Sequence, residues 1–183
     1  MEIKGNDERK GLGEGSQLLF LGEECPFRLR VNEGRKKTKI AKLPAGIYVL
    51  LGEAILSEKK EIQERHIREQ LYKWYRKQAG MIIEERVRYY AAFMGEEYGQ
   101  IRIKDQKSCW GSCSGKRNLN FNWHLVLTPM EILDYVVVHE LCHLKQMNHS
   151  MAFWKEVEKI LPDYKERRKW LRVHEKALLQ KIS

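Results

Sequence analysis

The sequence predicts an α+β fold, and three observations carry that prediction. Four short β-prone runs crowd into residues 17–56. From residue 58 the hydrophobic pattern changes to the period of helices. A second pair of β-prone runs after residue 99 then leads into three helical stretches. Strands gathered in blocks, instead of alternating one by one with helices, mark α+β over a parallel α/β layout.

Taken in order, residues 1–15 are polar and Gly-rich and read as a flexible tail. The runs "QLLFLG", "FRLRV", "TKIAKL" and "GIYVLL" are separated by the turn-forming "EECP", "NEGRKK" and "PAG". They predict a small antiparallel meander with Arg35, Lys36, Lys37 and Lys39 clustered at one of its turns. A helix follows over 58–79, with Ile67, Leu71, Trp74, Tyr75 and Gln78 on one stripe and Gly80 as its stop. A second helix over 82–94 carries Ile83, Val87, Tyr90, Ala91 and Met94, and Gly95 closes it.

"GQIRIKD" and "RNLNFNWHLVL" then predict a β-hairpin or edge strand, joined by the loop "QKSCWGSCSGK". "TPME" reads as a helix start, with Thr128 as N-cap, Pro129 in the first helical position and Glu131 completing a capping box. That helix is expected from 129 to about 146. The next, "SMAFWKEVEKIL", turns Phe153, Val157, Ile160 and Leu161 inward. Pro162 breaks the chain, and Asp163 with Glu166 caps a last basic helix. No internal repeat or long linker divides the chain. The expected organisation is therefore a tail over 1–15 and a single domain over 16–183, made of a β-rich part (16–56), a helical connection (57–98) and a C-terminal half (99–183).

Composition excludes several classes of protein. Hydrophobic residues are 43% and charged residues 32% of the 183, which argues against wholesale disorder. The N-terminal residues contain no apolar h-region, and the longest apolar run, "AGIYVLLGEAIL", is too short for a bilayer and holds Glu53. No membrane partner and a cytoplasmic location are the expectation. Four cysteines, Cys25, Cys109, Cys113 and Cys142, suit reduced thiols better than a disulfide framework. A net charge of +9 leaves nucleic acid as one conceivable acidic partner, although no aromatic-basic motif accompanies the charge.

The chemistry concentrates in residues 139–149, "HELCHLKQMNH". On a helix His139 and His143 lie one turn apart, about 40° around the axis, so both rings reach one ion, while Glu140 flanks them at about 100°. Leu133, Val137, Leu141 and Leu144 cover the opposite side, leaving only Asp134 and Lys145 as solvated positions. Two imidazoles and a carboxylate on so apolar a helix carry a desolvation cost unless something pairs them. Zinc pairs them: neutral imidazoles bind it, and the carboxylate takes a proton from the water it activates. The spacing is that of HExxH. His149, ten residues past His139, can join only if the helix ends near Met147 and the chain turns, with Asn148 as the expected turning point.

Cys142 points away from that ligand direction and reads as helix packing. Cys109 and Cys113 have no second cysteine pair to complete a structural zinc site, so their loop is expected near the metal without binding one. His66, His124 and His174 have no partners in sequence, although the strand carrying His124 runs into the motif helix.

The segments "CWGSCSGKRNLNFNWHLVLTP", "YVVVHELCHLKQMNHSMAFW" and "LPDYKERRKWL" together resemble the YgjP-like family of zinc metallopeptidases and, more distantly, SprT-like proteases and other zincins. The resemblance extends over about residues 16–175. It implies a zincin-like fold: a small β-rich N-terminal half, a helical connection, a hairpin, the HExxH helix and two C-terminal helices. It also places metal ligands on His139, His143 and His149, and the catalytic glutamate on Glu140. Cys109 stands where the family commonly has arginine. The spacing to His149 is also that of metzincins, but Gln146 replaces their turn glycine and no Met-turn follows.

The expectation is thus a zinc-dependent hydrolase, a metallopeptidase acting on a peptide or protein, with Glu140 as general base. The strand around 118–123 is expected to hold an extended peptide at its edge. Arg167, Arg168, Tyr164 and His124 are the candidates for stabilising an oxyanion. Two alternatives stay open: a zinc hydrolase of a non-peptide bond such as a nucleotide phosphoanhydride, and a nucleic-acid-associated protein with a secondary metal site.

Overall fold

The computed structural model describes residues 12–179. Of the expected tail, residues 1–11 lie outside the described residues, as do residues 180–183. In the described part of the tail, Glu14 accepts a hydrogen bond from Leu29 N (2.7 Å) and Gly15 N donates to Phe27 O (3.0 Å).

The first sheet contains β1 (Gln17–Phe20), β2 (Glu23–Asn32), β3 (Lys39–Leu43) and β4 (Gly46–Gly52), in the order β1-β2-β4-β3. It is not the antiparallel meander that the turns suggested, because β2 and β4 run parallel, with Phe27 opposite Ile47 and Asn32 opposite Gly52. Burial accounts for the order. Ile47, Val49 and Leu51 of β4 are 0–3% exposed and take the centre, whereas β3, with Lys39 and Lys42, is left at the edge. The turn between β1 and β2 uses two left-handed residues, Leu21 (φ 51°) and Gly22 (φ 79°). It docks on the second half of the chain, where Leu21 N donates to Val126 O (2.7 Å) and Gly22 packs on Pro129 too closely for a side chain.

A short helix α1 (Glu53–Leu56) precedes α2 (Lys60–Met94), which is one continuous helix of 35 residues where two were expected. Ile67, Leu71, Tyr75, Ala79, Ile83, Val87 and Ala91 follow one another at intervals of four and are all buried. This stripe runs straight past Gly80. Glycine within a helix costs about 1 kcal/mol, but full burial of residues such as Ile83 and Val87 contributes about 1.5–3 kcal/mol each, so the helix continues. Gly95 is the true stop. Its φ of 67° lets its N–H and that of Glu96 reach back to the carbonyls of Ala92 and Ala91.

The second sheet, β5 (Ile101–Lys104), β6 (Gly111–Cys113) and β7 (Leu119–Asn122), has the order β5-β7-β6. The expected hairpin partners β5 and β7 are parallel, and the loop between them supplies β6 as the antiparallel neighbour of β7. Both sides of β7 are therefore taken, and the edges of this sheet belong to β5 and β6 rather than to residues 118–123. Past Asn122 the chain tightens into a 3-10 helix (Trp123–Leu127) that is buried throughout.

The motif helix α3 spans Met130–Cys142. The capping box at its start does not form: Pro129 is the N-cap, and the Thr128 hydroxyl donates to Leu125 O (2.8 Å), closing the 3-10 helix instead. Asp134, read as solvated, is 7% exposed and held by Arg86 and Tyr90 of α2. α4 (Met151–Ile160) is capped by the Ser150 hydroxyl, which accepts from Phe153 N at 3.3 Å, and α5 (Tyr164–Leu179) lies against α3. One hydrophobic cluster runs from Leu19 to Leu178. No helix among the described residues is long and apolar enough to cross a membrane.

Candidate metal centre

α3 brings His139 and Glu140 to its last turn. His143 is the C-cap residue and keeps helical backbone angles (φ −65°, ψ −17°), so its ring stays one turn from that of His139. Regular helix ends here, earlier than expected, and Asn148 is not left-handed. The turn rests instead on the His143 ring, whose Nδ1 lies 3.0 Å from Gln146 O. Donation to that carbonyl fixes the ring and leaves Nε2 free as a lone pair. Residues 146–150 then bring His149 back.

The three imidazoles form a nearly equilateral triangle, with ring centroids 4.9, 4.9 and 4.7 Å apart. One ring nitrogen from each lies within 4.8 Å of the other two, and the Nε2 atoms of His139 and His149 face each other at 2.9 Å. Among the described residues this is the group of side chains that could hold a metal ion; Cys109, Cys113 and His124 belong to no such group. The buried Phe153 forms an apolar floor, its ring centroid 4.9, 4.5 and 4.9 Å from those of His139, His143 and His149. Trp154 stacks on His149 (5.6 Å, 23°), Tyr164 stacks on Trp154, and the Arg168 guanidinium lies 4.6 Å over the Trp154 ring.

Electrostatics follow from this burial. Loss of water pushes His139 down to about 3, and the neighbouring imidazoles and Arg168 push the same way, so the ring is a neutral donor at pH 7. Burial alone raises Glu140 to about 8. Two buried atoms at this spot, Glu140 Oε2 and His139 Nδ1, have no hydrogen-bond partner. Unpaired polar atoms in such a place cost free energy, and a water held by a cation would offset that cost for Glu140 Oε2, whereas His139 Nδ1 points away from the Nε2 that faces His149. The donor set and the orphaned carboxylate therefore fit a metal ion.

Of the candidates for an oxyanion role, Arg167 is engaged by Asp163 (2.9 Å) and Glu131 O (2.9 Å). His124 is buried against Asn122, Nδ1 to Oδ1 at 2.9 Å, with Asp105 at 3.9 Å. Tyr164 and Arg168 lie in the stack behind His149. His66 contacts Thr38 (2.8 Å) and His174 contacts Trp170 O (2.7 Å). The sequence reading missed Tyr135, whose ring meets His139 edge-on at 5.9 Å and whose hydroxyl burial raises to about 12. Its place one turn before His139 was the available signal. Arg117, in the β6–β7 turn, donates to the Glu97 and Leu144 carbonyls and to Glu96, which fastens the end of α3 to this hairpin.

A buried helix with this residue set belongs to the metallopeptidase class. The YgjP-like metallopeptidase domain matches residues 1–174, and the chain belongs to that family of peptidase-like hydrolases. None of the curated proteins matches the chain. Among solved structures it is similar to the metallopeptidase zymogen abylysin of Pyrococcus abyssi, with 28% identity and a TM-score of 0.46 over 51% of this chain and 93% of that one. It is also similar to the zymogen jannalysin of Methanocaldococcus jannaschii, with 28% identity and a TM-score of 0.44 over 51% of this chain and 95% of that one. The family match is to a metallopeptidase domain and lends no support to nucleic-acid binding.

Proposed function

We propose that this protein is a zinc-dependent peptidase in which His139, His143 and His149 hold the ion and Glu140 is the general base. The observation that carries the reading is the triangle of imidazoles beside a buried carboxylate oxygen with no partner of its own. Three imidazole nitrogen donors suit catalytic zinc, which, when bound, supplies Lewis acidity toward a carbonyl and toward water.

The protein's own groups do the rest. Glu140 takes the proton of the attacking water at its carboxylate and passes it to the leaving amine. Phe153 and the Trp154–Tyr164 stack keep the rear of the site dry and hold the rings in place. An extended peptide pairs with the free edge of β6. Trp110 O and Ser114 N bond toward β7, to Asn122 N and Asn118 O, so the alternation of an antiparallel pair turns the N–H and C=O groups of Gly111 and Cys113 outward.

The test is metal analysis of the purified protein followed by a screen of peptide and nucleotide substrates. About one zinc per chain and cleavage of peptides are expected. A protein that bound no zinc would overturn the reading. Hydrolysis of nucleotides without peptides would move the assignment to the phosphoanhydride class.

A further inference from the structure

We propose that Gly111 is a positioning residue: by having no side chain it keeps open the seat in which the Glu140 carboxyl lies. The register of β6 on β7 sets Gly111 opposite Phe121 and Cys113 opposite Leu119, so Gly111 and Cys113 share the face that turns inward with those two fully buried residues. Ser112 lies on the other face, where Asn120 Nδ2 donates to its hydroxyl at 3.1 Å. The inward face of β6 meets α3 at Glu140. A Cβ placed on Gly111 would stand 2.6 Å from Glu140 Oε1, 2.8 Å from Cγ and 2.9 Å from Cδ. The charge of Glu140 is also felt by Cys109 and Cys113, whose thiols it raises together with burial.

Backbone freedom does not explain the glycine. Gly111 is not among the residues with positive φ, so alanine meets no strain in the chain itself. The three contacts are all with the outer atoms of one side chain. Alanine here therefore leaves the strand intact and forces the carboxyl to swing aside. This function rests on the general-base role proposed for Glu140, and a displacement on the order of 1 Å in such a group can cost about 100-fold in rate.

The experiment compares G111A in two backgrounds, the native chain and E140A, and measures melting temperature, zinc content and turnover of a quenched-fluorescent peptide. In the native background G111A should lower Tm by about 2–6 °C, keep its zinc, and lower kcat by about 10- to 100-fold with KM little changed. In the E140A background the same substitution should cost no Tm, because the clashing atoms are gone. An equal Tm loss in both backgrounds, or wild-type kcat in a G111A protein, overturns the positioning role. E140Q serves as the control for the reading beneath it. If E140Q turned over like wild type, Glu140 would not be the base and the catalytic part of the inference would fall with it, whereas the Tm comparison would still decide whether the seat exists.

Discussion

Arg86 grips Asp134 with two hydrogen bonds, Nε to Oδ1 at 2.6 Å and Nη2 to Oδ2 at 2.7 Å, and so ties the long helix α2 to the motif helix five residues before His139. Tyr90 adds a third bond to the same carboxylate at 3.1 Å, and the guanidinium sits 5.0 and 5.2 Å from the rings of Tyr89 and Tyr90. The hydrogen bonds from Arg86 to Asp134 hold the guanidinium above the ordinary arginine range. Removing one partner strands the other in a mostly buried place. Arg86→Met should therefore cost about 2–4 kcal/mol of stability, read from urea unfolding, and Asp134→Asn less, because the amide keeps one acceptor. Loss of under ~0.5 kcal/mol in Arg86→Met would show the pair to be a surface contact.

Glu140→Gln keeps shape and volume but removes the proton acceptor. Zinc should stay bound, and stability should change little, because burial already holds the Glu140 carboxyl largely uncharged at pH 7. Peptide turnover should fall by about two to four orders of magnitude. Stoichiometry and turnover measured on one preparation decide it: loss of zinc would make Glu140 a ligand or a support.

His139→Ala or His143→Ala should abolish zinc binding. The double substitution Cys109→Ser, Cys113→Ser should keep the full metal count, since neither thiol joins the histidine group. Loss of half the zinc from the serine protein would reveal a second site.

His124 governs part of the acid stability. Burial lowers it to about 4 from an ordinary 6.5, with Asp105 opposing. The unfolded chain takes up this proton below pH 6.5 and the folded chain only near pH 4. The stability due to the neutral ring is therefore complete above 6.5 and is lost as pH falls from 6.5 toward 4, by a total on the order of 3 kcal/mol. His124→Gln, compared with the native chain by urea unfolding at pH 7.5, 6 and 5, should show a shallower decline. Parallel curves would place the proton elsewhere.

Gly80→Ala should stabilise. The position is helical, and its added Cβ would meet only Ile103 Cγ1, at 3.7 Å. A gain of about 0.5–1 kcal/mol is expected, or about 1–4 °C in Tm. A lower Tm would mean that α2 needs its glycine against β5.

Much of this was legible in local patterns. That His139, His143 and His149 meet follows from their spacing and the forced end of the helix, and the inward face of α4 and the stop at Gly95 were equally local signals. The misses share a cause, which is that distance along the chain hides the partner. Asp134 looked solvated because Arg86 lies 48 residues away. Thr128 is the exception: its partner Leu125 is three residues away, and what hides the bond is the buried 3-10 turn of Trp123–Leu127 that Thr128 closes. Alternation within β2 and β5 identifies strands but not neighbours, so the meander omits the β2–β4 pair and the hairpin reading makes β5 and β7 antiparallel. Gly80 was read as a stop because the propensity cost is local, whereas the burial that outweighs it is tertiary.

Two parallel pairings limit how fast this chain can reach its native state. Phe27 must find Ile47, 20 positions on (47 − 27), and Ile101 must find Leu119, 18 positions on (119 − 101). Neither search can be nucleated by a tight turn, and each surrenders loop entropy before any bond rewards it. Helical segments zip within microseconds, while non-local strand pairing takes milliseconds or longer. During refolding the helices and the locally closed β6–β7 hairpin therefore form first, and β5 joins β7 later. The hairpin that abuts Glu140 is thus a local unit, and the last step in closing this sheet is the arrival of β5, the strand that follows the long helix α2.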